Sequence, residues 1–375
     1  MRVAIVSNEL PPYRIPLFRT LSKMSGIMLQ VLFCSRREPN RLWDIPALDF
    51  GHIFLQERIF SYRGRYIHNN MGVLKRLWEF SPDVIVTGGF NPTHLYAFTY
   101  AKAMRIPHVV MTDGTDISEQ NLSIVHKIVR KFIYRRSRSF IAASHGGLRL
   151  LRSYLVPPES CFTSCLCVDN AMFSPGPVEN KFFDFLFCGR IEEIKNPLFA
   201  LEVAIDTAKK LHRKTSIMFV GTGEQEDELK LRAAQQSMFV DAKFSGFLSH
   251  AELPRFYREA RIFLFPTRGD PWGVVVNEAC ASGLPIITTP YAGVANELVI
   301  DEGNGYIELF DADTWSDRAA WLLSHPNEWQ RFSYRSTELV AEYSYQNAAA
   351  GIVAACRHAL SSDTPLTLDV AERCE

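Results

Sequence analysis

Short apolar runs recur along the chain. Each is closed by small or turn-forming residues and followed by a longer stretch with helical spacing, the pattern of parallel strands joined by crossover helices. It predicts strands at Val3–Ser7, Leu29–Ser35, Asp83–Gly88, His108–Thr112 and Ser139–Ser144, then a second series at Asp184–Cys188, Ser216–Val220, Ile262–Pro266 and Pro285–Thr289. Between the series, Val168-Asp-Asn-Ala-Met-Phe-Ser-Pro-Gly-Pro177 is rich in turn residues and reads as a linker, with the boundary near residue 175. A chain of 375 residues is too long for one average core and suits two α/β domains. The expected division is residues 1–170, residues 176–340, and a helical segment over 341–375 that crosses back to the first domain.

Ligands bind where the ends of parallel strands gather loops and helix N-termini, so the residues just after each strand carry the functional reading. Composition narrows it further. Hydrophobic residues make up 47% and charged residues 22%, which excludes long disordered stretches. No apolar run is long enough to cross a bilayer, and the first strand follows Met1 directly, leaving no room for a signal peptide. Cys34, Cys188 and Cys280 lie scattered in apolar segments, as in a reducing compartment, so the expected location is the cytoplasm. Cys161, Cys165 and Cys167 lack the His or second Cys-x-x-Cys that would complete a zinc site. Charge divides unevenly: residues 1–165 hold 22 Lys and Arg against 11 Asp and Glu, so the two parts carry +11 and −11. Such a division marks a positive surface suited to an anionic partner, or a chance spread of solvated charge.

Three segments of the second half carry chemistry. In Asp184-Phe-Leu-Phe-Cys-Gly-Arg-Ile-Glu-Glu-Ile-Lys195 a strand ends at Gly189, with Arg190 next and Lys195 five residues later. Two cations beyond a strand end make a clamp for a diphosphate leaving group, or two solvated surface charges. In Phe219-Val-Gly-Thr-Gly-Glu224 a strand runs into a loop with Gly221 and Gly223, which let backbone approach a ligand or simply make a tight turn. In the stretch from Phe263 to Ile287 a strand ends at Pro266, a loop presents Asp270, and a helix starts near Gly273 with Glu278 inside it. Its N-terminus is a natural phosphate site, and the two acids are placed to hold hydroxyls of a sugar and a ribose.

These segments, in this order, resemble the retaining GT-B glycosyltransferases of the fourth family in the usual sequence classification. That family is marked by E-P-x-G-x-x-x-x-E-A-x-A-x-G-x-P; here the frame reads D-P-W-G-V-V-V-N-E-A-C-A-S-G-L-P. Phe244-Ser-Gly-Phe-Leu248, the pair Gly293 and Glu297, and Val168-Asp169 with Phe173 and Pro175 match further family positions, so the resemblance covers most of residues 165–310. It implies two Rossmann-like domains facing each other across a cleft, acceptor side first and donor side second. It also implies sugar transfer with retention from a nucleotide-diphosphate sugar to a glycan or lipid-linked acceptor, in bacterial-type polysaccharide or glycolipid synthesis. No metal or other cofactor is implied.

Residue by residue, the resemblance puts Arg190 and Lys195 on the diphosphate beside Gly189, Gly221 and Gly223, and Glu278 on the ribose hydroxyls. Asp270 falls on sugar hydroxyls, the backbone of Trp272, Gly273 and Val274 on sugar and phosphate, and that of Phe247 and Leu248 on the base. Asp270 stands where Glu is usual, one methylene shorter, which leaves the transferred sugar open. A nucleotide-sugar epimerase or hydrolase of the same shape, or a non-catalytic nucleotide-sugar-binding relative, also fits these motifs.

The first half departs from the family. Asn8-Glu-Leu-Pro-Pro-Tyr-Arg14 replaces the glycine-rich loop after the first strand, and Thr112-Asp-Gly-Thr-Asp116 replaces a His after the fourth. Asp113 and Asp116 either contact sugar or acceptor, with Asp113 the catalytic candidate, or cap the next helix. Asp311-Ala-Asp313 has the spacing of a metal-binding pair but reads as a helix cap, so no metal is expected. His126 to Arg138 alternates basic and apolar residues on helix faces, which suits either the inner face of a membrane or a sheet-packed helix with cations in water. No nucleic-acid module accompanies the charge.

Overall fold

The computed structural model describes residues 1–39, 45–62, 65–120, 122–177 and 181–361. The chain packs as two compact units, one built from Met1–Leu166 with the last helix, Tyr345–Ser361, the other from Cys167–Ser344.

The first unit is built on the strands Arg2–Ser7 (β1), Met28–Phe33 (β2), His52–Phe54 (β3), Val84–Thr87 (β6), His108–Thr112 (β7), Ser139–Ala142 (β8) and Cys161–Thr163 (β9). They form a parallel sheet in the order β3-β2-β1-β6-β7-β8-β9, while Ile59–Tyr62 (β4) and Arg65–His68 (β5) pair as a separate hairpin. The central strands are buried along nearly their whole length, as expected of a parallel sheet covered on both faces. Ala4, Val6, Leu32 and Ile85 pack under Val73, Leu77, Ala97 and Ala101, while Val110, Phe140 and Ala142 pack under Ile133, Tyr134 and Leu151.

The second unit carries Phe183–Cys188 (β10), Thr215–Val220 (β11), Val240–Phe244 (β12), Ala260–Phe265 (β13), Ile286–Thr288 (β14) and Gly305–Ile307 (β15). This sheet is also parallel, in the order β12-β11-β10-β13-β14-β15. Its core joins Phe185, Phe187, Ile217, Phe219, Ile262 and Leu264 to Trp315, Leu322 and Phe332 of the covering helices.

One boundary differs from the sequence reading. The segment read as a linker packs into the second unit, so the division falls between Leu166 and Cys167 rather than near residue 175. The reason lies in Phe173, fully buried with its ring 5.5 Å from that of Tyr257. Its carbonyl accepts from Ser282 at 2.8 Å, and the guanidinium of Arg258 holds the carbonyls of Met172 and Ser174 at 2.7 and 2.8 Å. At the other end, Tyr345–Ser361 lies against the helix Ile15–Lys23 and strands β8 and β9, with Arg138 donating to the carbonyl of Ala359 at 3.1 Å.

Gly351 sets how closely that helix approaches the sheet, since a Cβ there would stand 1.7 Å from the carbonyl oxygen of Thr163. Gly351→Ala gains about 1 kcal/mol of helix propensity and loses up to about 3 kcal/mol to overpacking against backbone. The variant should therefore unfold at lower denaturant and be cleaved faster within residues 345–361. A variant as stable as the parent would show that the helix is not seated at this point.

Candidate active site

The order of the second sheet reverses between β10 and β13: β11 and β12 continue to one side, β14 and β15 to the other. At such a switch point the loops leaving two neighbouring strands diverge and open a crevice at their carboxyl ends. The β10 loop delivers Lys195 through a short turn, Glu193–Lys195, that ends at Asn196 in the left-handed region (φ 55°), before Pro197 starts the helix Pro197–Leu211. Asn is one of the few residues that adopt this conformation cheaply. The β13 loop is tied to it, for Arg268 donates its N–H to the carbonyl of Ile194 at 2.8 Å and Thr267 donates its hydroxyl to the same oxygen at 3.2 Å.

The ammonium of Lys195 donates to Oδ2 of Asp270, and Oδ1 of Asp270 accepts the N–H of Trp272 at 3.0 Å. The two side chains are only 16% and 18% exposed, so the pair is partly withdrawn from water. The carbonyl of Asp270 accepts from the N–H of Gly293 at 2.8 Å, where a Cβ would lie 1.9 Å from the carbonyl of Pro271. Arg190 is half exposed, with its guanidinium 2.7 Å from the carboxylate of Glu192. The structure thus brings Arg190, Lys195 and Asp270 onto joined loops, and each cation already has an acidic partner.

The glycines do a different job from the one their spacing suggests. A Cβ on Gly221 would lie 2.0 Å from the carbonyl of Gly189, and one on Gly223 would lie 2.4 Å from that of Ile191. Gly221 also donates to the carbonyl of Gly246 at 2.9 Å. These glycines therefore let the loops after β10, β11 and β12 stack on one another. Beyond them, Phe247 stands 53% exposed and Leu248 half-buried.

Gly273, with φ at 100°, precedes the helix Val274–Ala281. The ring of Trp272 is buried and donates to Asn277 at 2.7 Å, so its backbone, not its indole, belongs to the site. Glu278 sits one turn into this helix, only 6% exposed, and accepts the hydroxyl of Tyr257 at 2.6 Å. Burial pushes its carboxyl up to about 7, against the pull of the Tyr257 hydrogen bond. The thiol of Cys188, at the end of β10, is pushed up to about 12 by burial and by the charge of Glu278. Tyr257 carries no motif in the sequence; only packing reveals it.

In the first unit Asp113 follows β7, and one terminal guanidinium nitrogen of the buried Arg14 donates to both of its carboxylate oxygens, at 2.6 and 2.8 Å. Asp116 pairs with Arg149 at 2.8 Å. Neither caps the next helix, Ile124–Tyr134, which starts after Ser123. Asp113 lines two cavities of about 790 and 260 Å³ that share Gly88 and Met111. Arg14, which the sequence reading did not single out, closes the Pro-Pro-Tyr-Arg loop, and the unusual sequence after β1 is the one signal for it. Asp311 caps the helix Ala312–Ser324 by accepting from Asp313 and Thr314. Among the described residues no three His, Cys, Asp or Glu side chains gather as metal ligands.

Two Rossmann-like parallel-sheet units in one chain, with loop-borne charged residues at the switch point of the second, define an α/β protein of the GT-B class. The solved structure of Anabaena Alr3699/HepE in complex with UDP shares this fold with a TM-score of 0.73 at 13% identity, over 94% of this chain and 98% of that one. Residues 169–339, which lie within the second unit, match the model of the glycosyl transferases group 1. A glycogen synthase of Mycobacterium tuberculosis is 29% identical over 33% of this chain and 28% of its own length. A D-inositol 3-phosphate glycosyltransferase of Frankia alni is 26% identical over 47% and 45%. The chain thus spans less than half the length of these curated relatives.

Glu278 supplies a test of the site's electrostatics. Its folded pKa of about 7 lies above the ordinary 4.5. Between those values the folded state keeps a proton that the unfolded chain has released, so this group costs stability as pH rises through the window. Glu278→Gln should leave the melting temperature nearly unchanged at about pH 4 and raise it at about pH 8, where the stability gained is on the order of 3 kcal/mol. Differential scanning calorimetry at both pH values checks this; an increment independent of pH would refute it.

Proposed function

We propose that the chain is a glycosyltransferase that moves a sugar from a nucleoside-diphosphate sugar to a glycan or lipid-linked acceptor in polysaccharide or glycolipid synthesis. The observation that carries this reading is the Lys195–Asp270 pair on two joined loops at the switch point of a group 1 domain, with Arg190 on the same loop as Lys195. In this reading the entering diphosphate draws Lys195 and Arg190 from their carboxylate partners, and both cations then stabilise the charge that grows on the leaving group. Asp270, relieved of Lys195, accepts hydroxyls of the sugar. Glu278, with one oxygen held by Tyr257, offers the other to the ribose. The backbone of Trp272, Gly273 and Val274 faces sugar and phosphate at the helix N-terminus, and Phe247 and Leu248 frame the base.

In this reading Asp270 is given to sugar hydroxyls and does not act as a covalent nucleophile. Retention then follows from acceptor attack on the face the phosphate leaves, the phosphate helping to take the proton. The acceptor belongs to the Asp113 cavities of the first unit, where the Arg14 contact holds the carboxylate in one orientation. No helix among the described residues is long and apolar enough to span a membrane, and the reading places the enzyme in the cytoplasm or on the inner face of the membrane.

Arg190→Ala and Lys195→Ala should each lower turnover about a hundredfold or more, the loss expected for one preorganised stabiliser of developing charge. Near-normal turnover in both folded variants would remove them from the site. Uridine diphosphate is the first nucleotide to try, since a structural neighbour was solved with it. Saturation at about a hundredfold over Kd should stabilise the fold by about 2.7 kcal/mol. Glu278→Gln should weaken this binding more than Asp270→Asn does, and equal losses would disprove the division of roles. Sugar turnover without acceptor would identify an epimerase or hydrolase instead.

A further inference from the structure

Between Gln120 and Pro158 the chain holds eight Lys and Arg residues and no Asp or Glu. The helix Ile124–Tyr134 carries Lys127, Arg130 and Lys131, and Arg135, Arg136 and Arg138 follow its end. Its inner face buries Arg130, Ile133 and Tyr134, and Arg130 is neutralised by Glu119 at 2.7 Å. Its outer face is apolar where a solvated helix would be polar: Ile124 is 76% exposed, Val125 68%, Ile128 61% and Phe132 51%. Ile124, Ile128 and Phe132 recur at every fourth position and form one stripe. Leu155 extends it across a shallow groove of about 310 Å³ shared with Lys127 and Lys131. Arg136 borders the stripe beyond the helix end, its guanidinium 3.9 Å from the ring centre of Phe132.

We propose that this face docks on an anionic lipid surface. Exposed apolar side chains bordered by cations match the two layers of a bilayer interface, acyl chains below and phosphates above. A second copy meeting this face symmetrically is a poor occupant, since it would set these cations against their own kind. The helix and its cap also lend Ser123, His126 and Arg130 to the larger Asp113 cavity. On the transferase reading, on which this last step rests, the acceptor reaches that cavity from the bilayer and is lipid-linked.

Co-sedimentation of the full chain with phosphatidylcholine vesicles and with mixed phosphatidylcholine and phosphatidylglycerol vesicles tests the proposal. The protein should bind the anionic vesicles at least about tenfold better, and less so as salt rises. Ile128→Ser with Phe132→Ser keeps the charge and should lose about tenfold in binding, and Lys127→Glu with Lys131→Glu and Arg136→Glu should abolish it. The proposal is overturned if the wild type stays in the supernatant at low salt, or if the double serine variant, with unchanged melting temperature, binds as the wild type does. A dimer that forms through this face without vesicle binding also overturns it. Melting shifts with uridine, guanosine and adenosine diphosphates on the same samples separate the two readings: a shift without vesicle binding sinks the docking face alone, and vesicle binding with no shift from any of the three sinks the transferase reading alone.

Discussion

The ion pair between Lys195 and Asp270 joins two loops 75 residues apart in sequence, at the point where the second sheet reverses its strand order. Much of the site depends on it. Each side chain is largely withdrawn from water, so removal of either partner leaves a charge poorly compensated, a change that can cost about 3–5 kcal/mol at a fully buried pair. The Asp270 carboxylate also orders the first residues of the next loop through the N–H of Trp272. Its backbone carbonyl holds Gly293, so one residue links the loops after β10, β13 and β14.

The glycines supply the complementary constraint. Gly221, Gly223 and Gly293 each lie so close to a neighbouring carbonyl that no side chain fits, and the loops at the carboxyl edge of the sheet stack as layers of backbone. Such layers leave little freedom for rearrangement, so the backbone that carries the charged groups is set before any ligand arrives. Glu278 shows the cost of this order. It is buried beside Tyr257 and Cys188 and bears an acid pushed well above its ordinary range, the kind of perturbed group that concentrates at functional sites.

The first unit uses the same architecture with different chemistry. Its carboxylate, Asp113, is held by a buried arginine from the loop after β1, where the second unit holds its own by a lysine from the loop after β10. In the first unit strong positive charge also gathers on a helix whose outer face is apolar, and neither property by itself would set that face apart from ordinary solvated surface.

The sequence by itself determined the parallel α/β class and the central strands, because strands buried on both faces must be continuous apolar runs. It also determined the loop positions of Arg190, Lys195 and Asp270 and the place of Glu278 in the helix that follows, because chemistry at strand ends follows from the strand pattern. Three edge strands stayed hidden: β3 and β15 are three residues each, and β12 carries Asp241 and Lys243, so none presents an apolar run. Only the tertiary structure decided which charges pair. Arg14 meets Asp113 across 99 residues, Tyr257 meets Glu278 across 21, and Phe173 moves a segment read as linker into the second unit. Pairing is a matter of proximity, and proximity between distant residues is set by how the helices and loops pack around the sheet, which no local pattern of residues encodes.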